Sequence, residues 1–299
     1  MVKRKYLLLC VAVFSACGKI DPLGLIAPTS ADVESRVRES LSINRARKPI
    51  ELFAKADDYN VYVCSDMHVE EESDNFERFL RSMRNDGDAV MGLLLGDLIN
   101  QKGSMRIVDK MIDSVLPYEE SVPVMTIVGN HDLFFGQWDD YKHYFGSSTY
   151  FFVVHTPHYN DLYIMLDSGS GCHGKKQMDW LKQLLNYRNE YRHCVVCSHV
   201  NVFRSDLSQF VSGNLPLEET YQLLNLLTES KVELYLQGHD HFREEVVYNG
   251  VRYVVLDCLM TGAENASWMR LHIGENLSFD FVDAKEIVCG DNFSKGIWQ

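Results

Sequence analysis

The chain predicts an α/β fold, a four-layer α/β/β/α sandwich of two mixed sheets flanked by helices. Three observations carry that prediction. Apolar runs at 61–65, 89–95 and 124–128 each end in polar residues. The first two lead into helically spaced stretches at 76–84 and 105–116, the signature of βαβ units. Further on, amphipathic stretches at 174–192 and 217–231 alternate with apolar runs at 193–198 and 232–237, and no shift in composition marks a second domain.

The elements follow in order. Lys3-Arg4-Lys5, then the apolar stretch 6–16 closing on Ser15-Ala16, has the layout of a secretory signal, and that stretch is too short to span a bilayer. Phe14-Ser15-Ala16-Cys17 resembles the lipobox of bacterial lipoproteins, with Phe14 where Leu is usual. That resemblance implies a lipid anchor at Cys17 and export to the cell envelope, periplasm or outer membrane. Residues 18–28 suit a tether. At 31–47, Val33, Val37 and Leu41 recur at helical spacing, with acids early and arginines late as the helix dipole prefers. The stripe is thin, so the helix is expected on the domain surface. Strands are expected at 150–155 and 162–167 around a turn at 157–161, and at 244–248, 251–256, 268–273 and 277–282.

Composition narrows the function. The formal net charge is −13, and cleavage after residue 16 would remove three cations and no acids, leaving −16. A body this acidic argues against binding nucleic-acid polymers, which needs Lys/Arg surfaces. Beyond Cys10 and Cys17, six cysteines remain: Cys64, Cys172, Cys194, Cys197, Cys258 and Cys289. Cys194 and Cys197 have the spacing of a redox pair. In an extended strand, however, they would lie roughly 10 Å apart on opposite faces, so they read as two packed thiols.

The chemistry lies in the polar residues that end the apolar runs: Asp66 and His68, Asp97, Asn130 and His131, His199, then His239 and His241. Residues just past strand ends converge on one rim of a sheet. Imidazole nitrogens, carboxylates and an amide oxygen, with no Cys, suit borderline-hard divalent metals. The candidate ligands are too many for one ion and suit two that share a carboxylate.

In this order the blocks Asp-x-His, Gly-Asp, Gly-Asn-His-Asp, His and Gly-His-x-His resemble the calcineurin-like metallophosphoesterases over residues 60–282. Leu166-Asp167-Ser168 and Gln177-Met178-Asp179-Trp180-Leu181 also match features frequent in that family. The resemblance implies that Asp66, His68 and His241 hold one metal and that Asn130, His199 and His239 hold the other, with Asp97 bridging. The two ions would be Mn, Fe or Zn, divalent or trivalent. It also implies that His131 is the catalytic His, oriented by Asp132, and that a hydroxide held between the metals attacks the phosphorus of a small phosphomonoester or phosphodiester. The alternative is a non-catalytic cell-envelope binding lipoprotein on the same scaffold.

Two departures from the family bear on substrate. Ser198 stands where Gly commonly precedes the fourth-block His. Gly96-Asp97 continues Leu-Ile-Asn-Gln-Lys-Gly instead of ending in Asp-Arg-Gly, so the substrate-gripping Arg of the protein phosphatase branch is missing. Small phosphoesters are therefore expected. Phe134, Phe135, Trp138 and Tyr141 are candidate stacking residues. His158, His173, Asn201 and Arg204 are candidate contacts to phosphate or leaving group. The expected division is a signal peptide (1–16), a lipidated tether with a surface helix (17–56), the metallophosphoesterase domain (57–283) and a C-terminal extension (284–299).

Overall fold

A computed structural model describes residues 32–71, 73–100, 102–117, 122–203 and 215–285. The expected signal peptide, the anchor at Cys17, Cys289, Arg204 and nearly all of the C-terminal extension lie outside the described residues. The described part opens with helix α1 (Val33–Ala46) and the short strand β1 (Ile50–Phe53). Two strand–helix units follow, β2 (Tyr59–Cys64) with α2 (Asp74–Asn85) and β3 (Ala89–Leu94) with α3 (Met105–Val115). A third comprises β4 (Val124–Thr126), a 3₁₀ turn (His131–Gly136) and α4 (Trp138–Tyr144). Strands β5 (Tyr150–His155) and β6 (Asn160–Met165) lead to α5 (Gly174–Leu185), β7 (Cys194–Cys197), α6 (Leu217–Glu229) and β8 (Leu234–Gln237). Four strands close the fold: β9 (Glu244–Tyr248), β10 (Val251–Val255), β11 (Ser267–Ile273) and β12 (Leu277–Asp283).

Among the described residues the strands form two mixed sheets, ordered β1-β5-β6-β7-β8-β10-β9 and β12-β11-β2-β3-β4. Alternation along each strand sends its side chains to two different cores. Val61 and Val63 of β2 meet Tyr163, Val195 and Leu236 between the sheets, while Tyr62 and Cys64 face α2 and α3 on the outside. On the far side Leu162, Ile164 and Val196 pack under Leu181 of α5 and Leu223 of α6. These three apolar layers are the four-layer sandwich expected from the sequence.

Helix α2 shows how locally the elements are encoded. The Ser73 side chain caps its first turn by accepting from the Phe76 amide, and Phe76, Phe79, Leu80 and Met83 form the buried stripe. The parallel runs β2-β3-β4 and β6-β7-β8 bring their C-terminal ends, and the loops after them, to one rim. Cys194 and Cys197 are buried free thiols of β7, in the outer core and the inter-sheet core respectively.

Three local features differ from or add to the sequence reading. Helix α1 lies on the domain against α5 and β5, and its buried face adds the polar Arg36 and Ser40 to Val33 and Val37. Strand β1 escaped the sequence reading because only four residues, mostly exposed, pair at the sheet edge with β5. The helix expected over 174–192 stops at Leu185. Beyond it the Arg188 guanidinium turns back onto the carbonyls of Tyr191 and Arg192 and onto Glu233.

Candidate metal centre

Asp66 and His68 follow β2, Asp97 follows β3, Asn130 and His131 follow β4, His199 follows β7, and His239 and His241 follow β8. Asp66, His68, Asp97, His239 and His241 all have positive φ, between 45° and 75°. Non-glycine residues rarely adopt this conformation, and it concentrates at functional sites. Here the turns aim side chains back across the strand ends.

Close approach explains two of the glycines in the motifs. A Cβ on Gly129 would overlap the Asp97 carboxylate and amide, and one on Gly238 would overlap Ser65 Oγ and Asp66 Oδ2. The gap between the sheets is tied by Asp66 Oδ2, which accepts from the His239 amide at 2.8 Å and from Ser65 Oγ at 2.6 Å.

The donor atoms form three overlapping groups: Asp66, His68 and His241; His68, Asp97 and His131; and Asp97, His199 and His239. Asp97 Oδ2 lies between the outer two, 3.9 Å from His68 Nε2 and 3.3 Å from His199 Nε2. His199 Nε2 is also 3.2 Å from both Asn130 Oδ1 and His239 Nδ1. All seven expected ligands are therefore brought together.

These donors fit cations. His199 Nδ1 donates to the Leu95 carbonyl at 2.8 Å, so a cation that displaces the Nε2 proton would find that lone pair aimed at a space lined by oxygen and nitrogen donors. His68 Nε2 and His241 Nε2 meet at 3.1 Å. Asp66 Oδ1 is fully buried and has no hydrogen-bond partner among the described residues, with His241 Nε2 at 3.4 Å.

The ionisation of these donors follows from the same electrostatics. Burial opposes ionisation of Asp97, but the rings of His199, His131 and His68 hold its carboxyl well below the usual range. Burial pulls His199 down, but the Asp97 carboxylate outweighs it and lifts the ring to about 10. His68 falls to about 4, chiefly from burial.

His131 is half-buried. Its amide donates to Asp97 Oδ1 at 2.8 Å, and its ring stands edge-on to His68 with centroids 4.6 Å apart. Asp132 departs from its expected role of orienting that ring. Its oxygens accept from the amides of Leu98 (2.9 Å), Ile99 (3.3 Å) and Gly129 (2.8 Å), so it clamps the loops after β3 and β4. Burial and then the Asp97 charge push its carboxyl up to about 7.

Other candidates divide. Trp138 and Tyr141 are buried core residues, and Phe134 packs on the His131 ring at 4.7 Å. Phe135 is 39% exposed, with φ 57°. His158 pairs with Asp57 at 2.7 Å beside the β5–β6 turn, away from the centre, and His173 is buried against Gln177 and the Asp167 carbonyl. Asn201 joins the two histidine loops by donating to Asp240 Oδ2 at 2.7 Å. The sequence reading missed Ser168, whose Oγ accepts from the amides of His199 (3.1 Å) and Val200 (3.0 Å). Its only signal was its place in Leu166-Asp167-Ser168.

No curated protein matches the chain. Among solved structures, a dimetal phosphatase from Danio rerio superposes with TM-score 0.59 at 14% identity, covering 76% of this chain and 96% of that one. The purple acid phosphatase PPD1 from yellow lupin (Lupinus luteus) gives 0.61 at 14% identity, over 78% of this chain and 52% of that one. GAP50, described as the anchor in the inner membrane complex of Plasmodium, gives 0.58 at 15% identity, over 77% and 85%. At such identities these are likenesses of fold. The family model for calcineurin-like phosphoesterases matches residues 59–243, a stretch holding every strand end that carries a donor. This chain belongs to the calcineurin-like phosphoesterase family.

Proposed function

We propose that the protein hydrolyses phosphoester bonds of small substrates, monoesters or diesters, at a centre of two metal ions. The observation that carries this reading is the position of Asp97 Oδ2 between His68 and His199, one from each outer donor group. In this reading Asp66, His68 and His241 hold one ion, Asn130, His199 and His239 the other, and Asp97 both. Mn, Fe and Zn all suit such nitrogen and oxygen donors. Such a pair, when bound, polarises phosphoryl oxygens and lowers the pKa of a water.

The chain's own groups do the rest. Asp132 and Asp66 fix the donor loops through backbone amides, so little reorganisation remains when substrate arrives. The His131 ring, beside His68, is within reach of the same space and holds a proton for the leaving oxygen or steadies the phosphoryl charge. The preference for small substrates is supported by the stretch after Asp97. There Leu98 and Ile99 are fully buried, and no Arg stands where the protein phosphatase branch has one.

The second reading is a non-catalytic binding protein of the cell envelope, since a fold alone does not establish activity. The complete donor set favours catalysis. Export and a lipid anchor at Cys17 belong to the proposal and are supported by the basic, apolar and small-residue order of residues 1–17. The test is metal analysis of the purified protein with a panel of mono- and diesters. Two ions per chain with turnover of one ester class are expected; a chain without metal and without turnover contradicts the proposal.

A further inference from the structure

Helix α1 lies outside residues 59–243, yet it delivers a fully buried arginine to the layer beneath the donor rim. Arg36 grips Asp167 with two bonds, Nε to Oδ2 at 2.8 Å and Nη2 to Oδ1 at 2.9 Å, and reaches Ser170 Oγ at 3.0 Å. Asp167 Oδ2 also accepts from Ser148 Oγ at 2.7 Å, and the Ser148 amide donates to Ser40 Oγ of α1 at 3.1 Å. The next residue along, Ser168, takes the amides of His199 and Val200 on its hydroxyl oxygen and is met by Ser198 Oγ at 2.8 Å. A short path therefore leads from Arg36, through the Asp167–Ser168 backbone, to the His199 ring.

Fold stability alone does not account for this arrangement. Val33 and Val37 already anchor α1 by apolar burial, and a buried ion pair is commonly no more stabilising than well-packed apolar residues of similar volume. A bidentate Arg–Asp pair does fix position and orientation. The Asp66–His68 loop is held by other bonds, from Ser65 Oγ and the His239 amide to Asp66 and from the His68 amide to the Asp97 carbonyl. We propose that Arg36 is a positioning residue for the His199 side of the metal centre, acting through Asp167 and Ser168, so that α1 is part of the cation-binding machinery. This rests on the two-ion reading above.

The test is metal binding by the whole protein, stripped with a chelator and titrated with Mn²⁺ or Zn²⁺ against a competing indicator. Arg36→Met should weaken one of the two positions by about 10–100-fold, as loss of a group behind a ligand does, and leave the other unchanged. Arg36→Lys should recover part of that loss. Arg36→Met combined with Asp167→Asn strands no buried charge and should show the same one-sided loss even if the single variant folds poorly. Arg188→Met breaks the 2.7 Å pair with Glu233 away from the rim and should keep both affinities, separating positioning from general loosening. Two unchanged affinities in the Arg36→Met/Asp167→Asn protein would overturn the inference. Fewer than two ions in the wild type would instead overturn the reading beneath it.

Discussion

The backbone amide of His239 donates to Asp66 Oδ2 at 2.8 Å, so a proposed ligand of one ion is held by the loop that carries a ligand of the other. The bond crosses between the two sheets at their C-terminal rim. Gly238 permits it, since a Cβ there would overlap Asp66 Oδ2 and Ser65 Oγ. Gly238→Ala should therefore destabilise the fold by about 1–3 kcal/mol, the usual range for overpacking. It should also reduce metal content. Denaturant midpoints and metal analysis check this; wild-type values for both would show that the gap is wider than described.

His131 is the proposed proton holder, and its replacement distinguishes that role from ligation. His131→Ala should keep both ions and slow turnover by about 10²–10⁴-fold. The loss should shrink for a nitrophenyl ester, whose leaving group barely needs a proton. Loss of an ion would make His131 a ligand, an outcome its place in one donor group with His68 and Asp97 makes worth measuring.

These roles were legible in the sequence to different depths. The seven donors could be read because each must be a His, Asp or Asn just past an apolar run, and strand ends are visible as such. Arg36 could not, since an arginine on a thin amphipathic helix ordinarily faces water, and its partner Asp167 is remote in sequence. Asp132 was legible as part of the site but not in its task, because adjacency to His131 suggested a ring contact while folding brought it to amides 33 and 34 residues away. Asn201 and His158 were legible only as residue types. Their partners, Asp240 and Asp57, are set by how loops pack.

Away from the metal centre, His193 gives the fold a pH dependence. Its Nδ1 faces Glu233 Oε1 at 2.7 Å and its Nε2 faces the Gly274 carbonyl at 2.9 Å, so only the imidazolium can donate to both. Burial pulls its pKa down, but these partners outweigh burial and raise it. With the folded value above the unfolded value of about 6.5, the contribution is complete below that pH and is lost as pH rises through the folded pKa. Thermal midpoints from pH 6 to 9 should fall more steeply for the wild type than for His193→Gln. Parallel curves would remove His193 from the pH response.

Cys17→Ser should leave the protein exported and catalytically unchanged but no longer membrane-associated, because stable anchoring needs several acyl chains. No helix among the described residues is long and apolar enough to cross a membrane. Continued fractionation with membranes would instead point to a retained apolar leader.

The two-ion reading turns on Asp97, whose Oδ2 stands 3.3 Å from His199 Nε2 and 3.9 Å from His68 Nε2. Asp97→Asn keeps the shape of the side chain and removes the one carboxylate offered to both positions. The deciding measurement is the number of ions per chain, taken together with turnover of a phosphoester that the wild type cleaves. Loss of at least one ion together with loss of hydrolysis is the predicted result. An Asp97→Asn protein that keeps two ions and full turnover would contradict the shared-carboxylate centre.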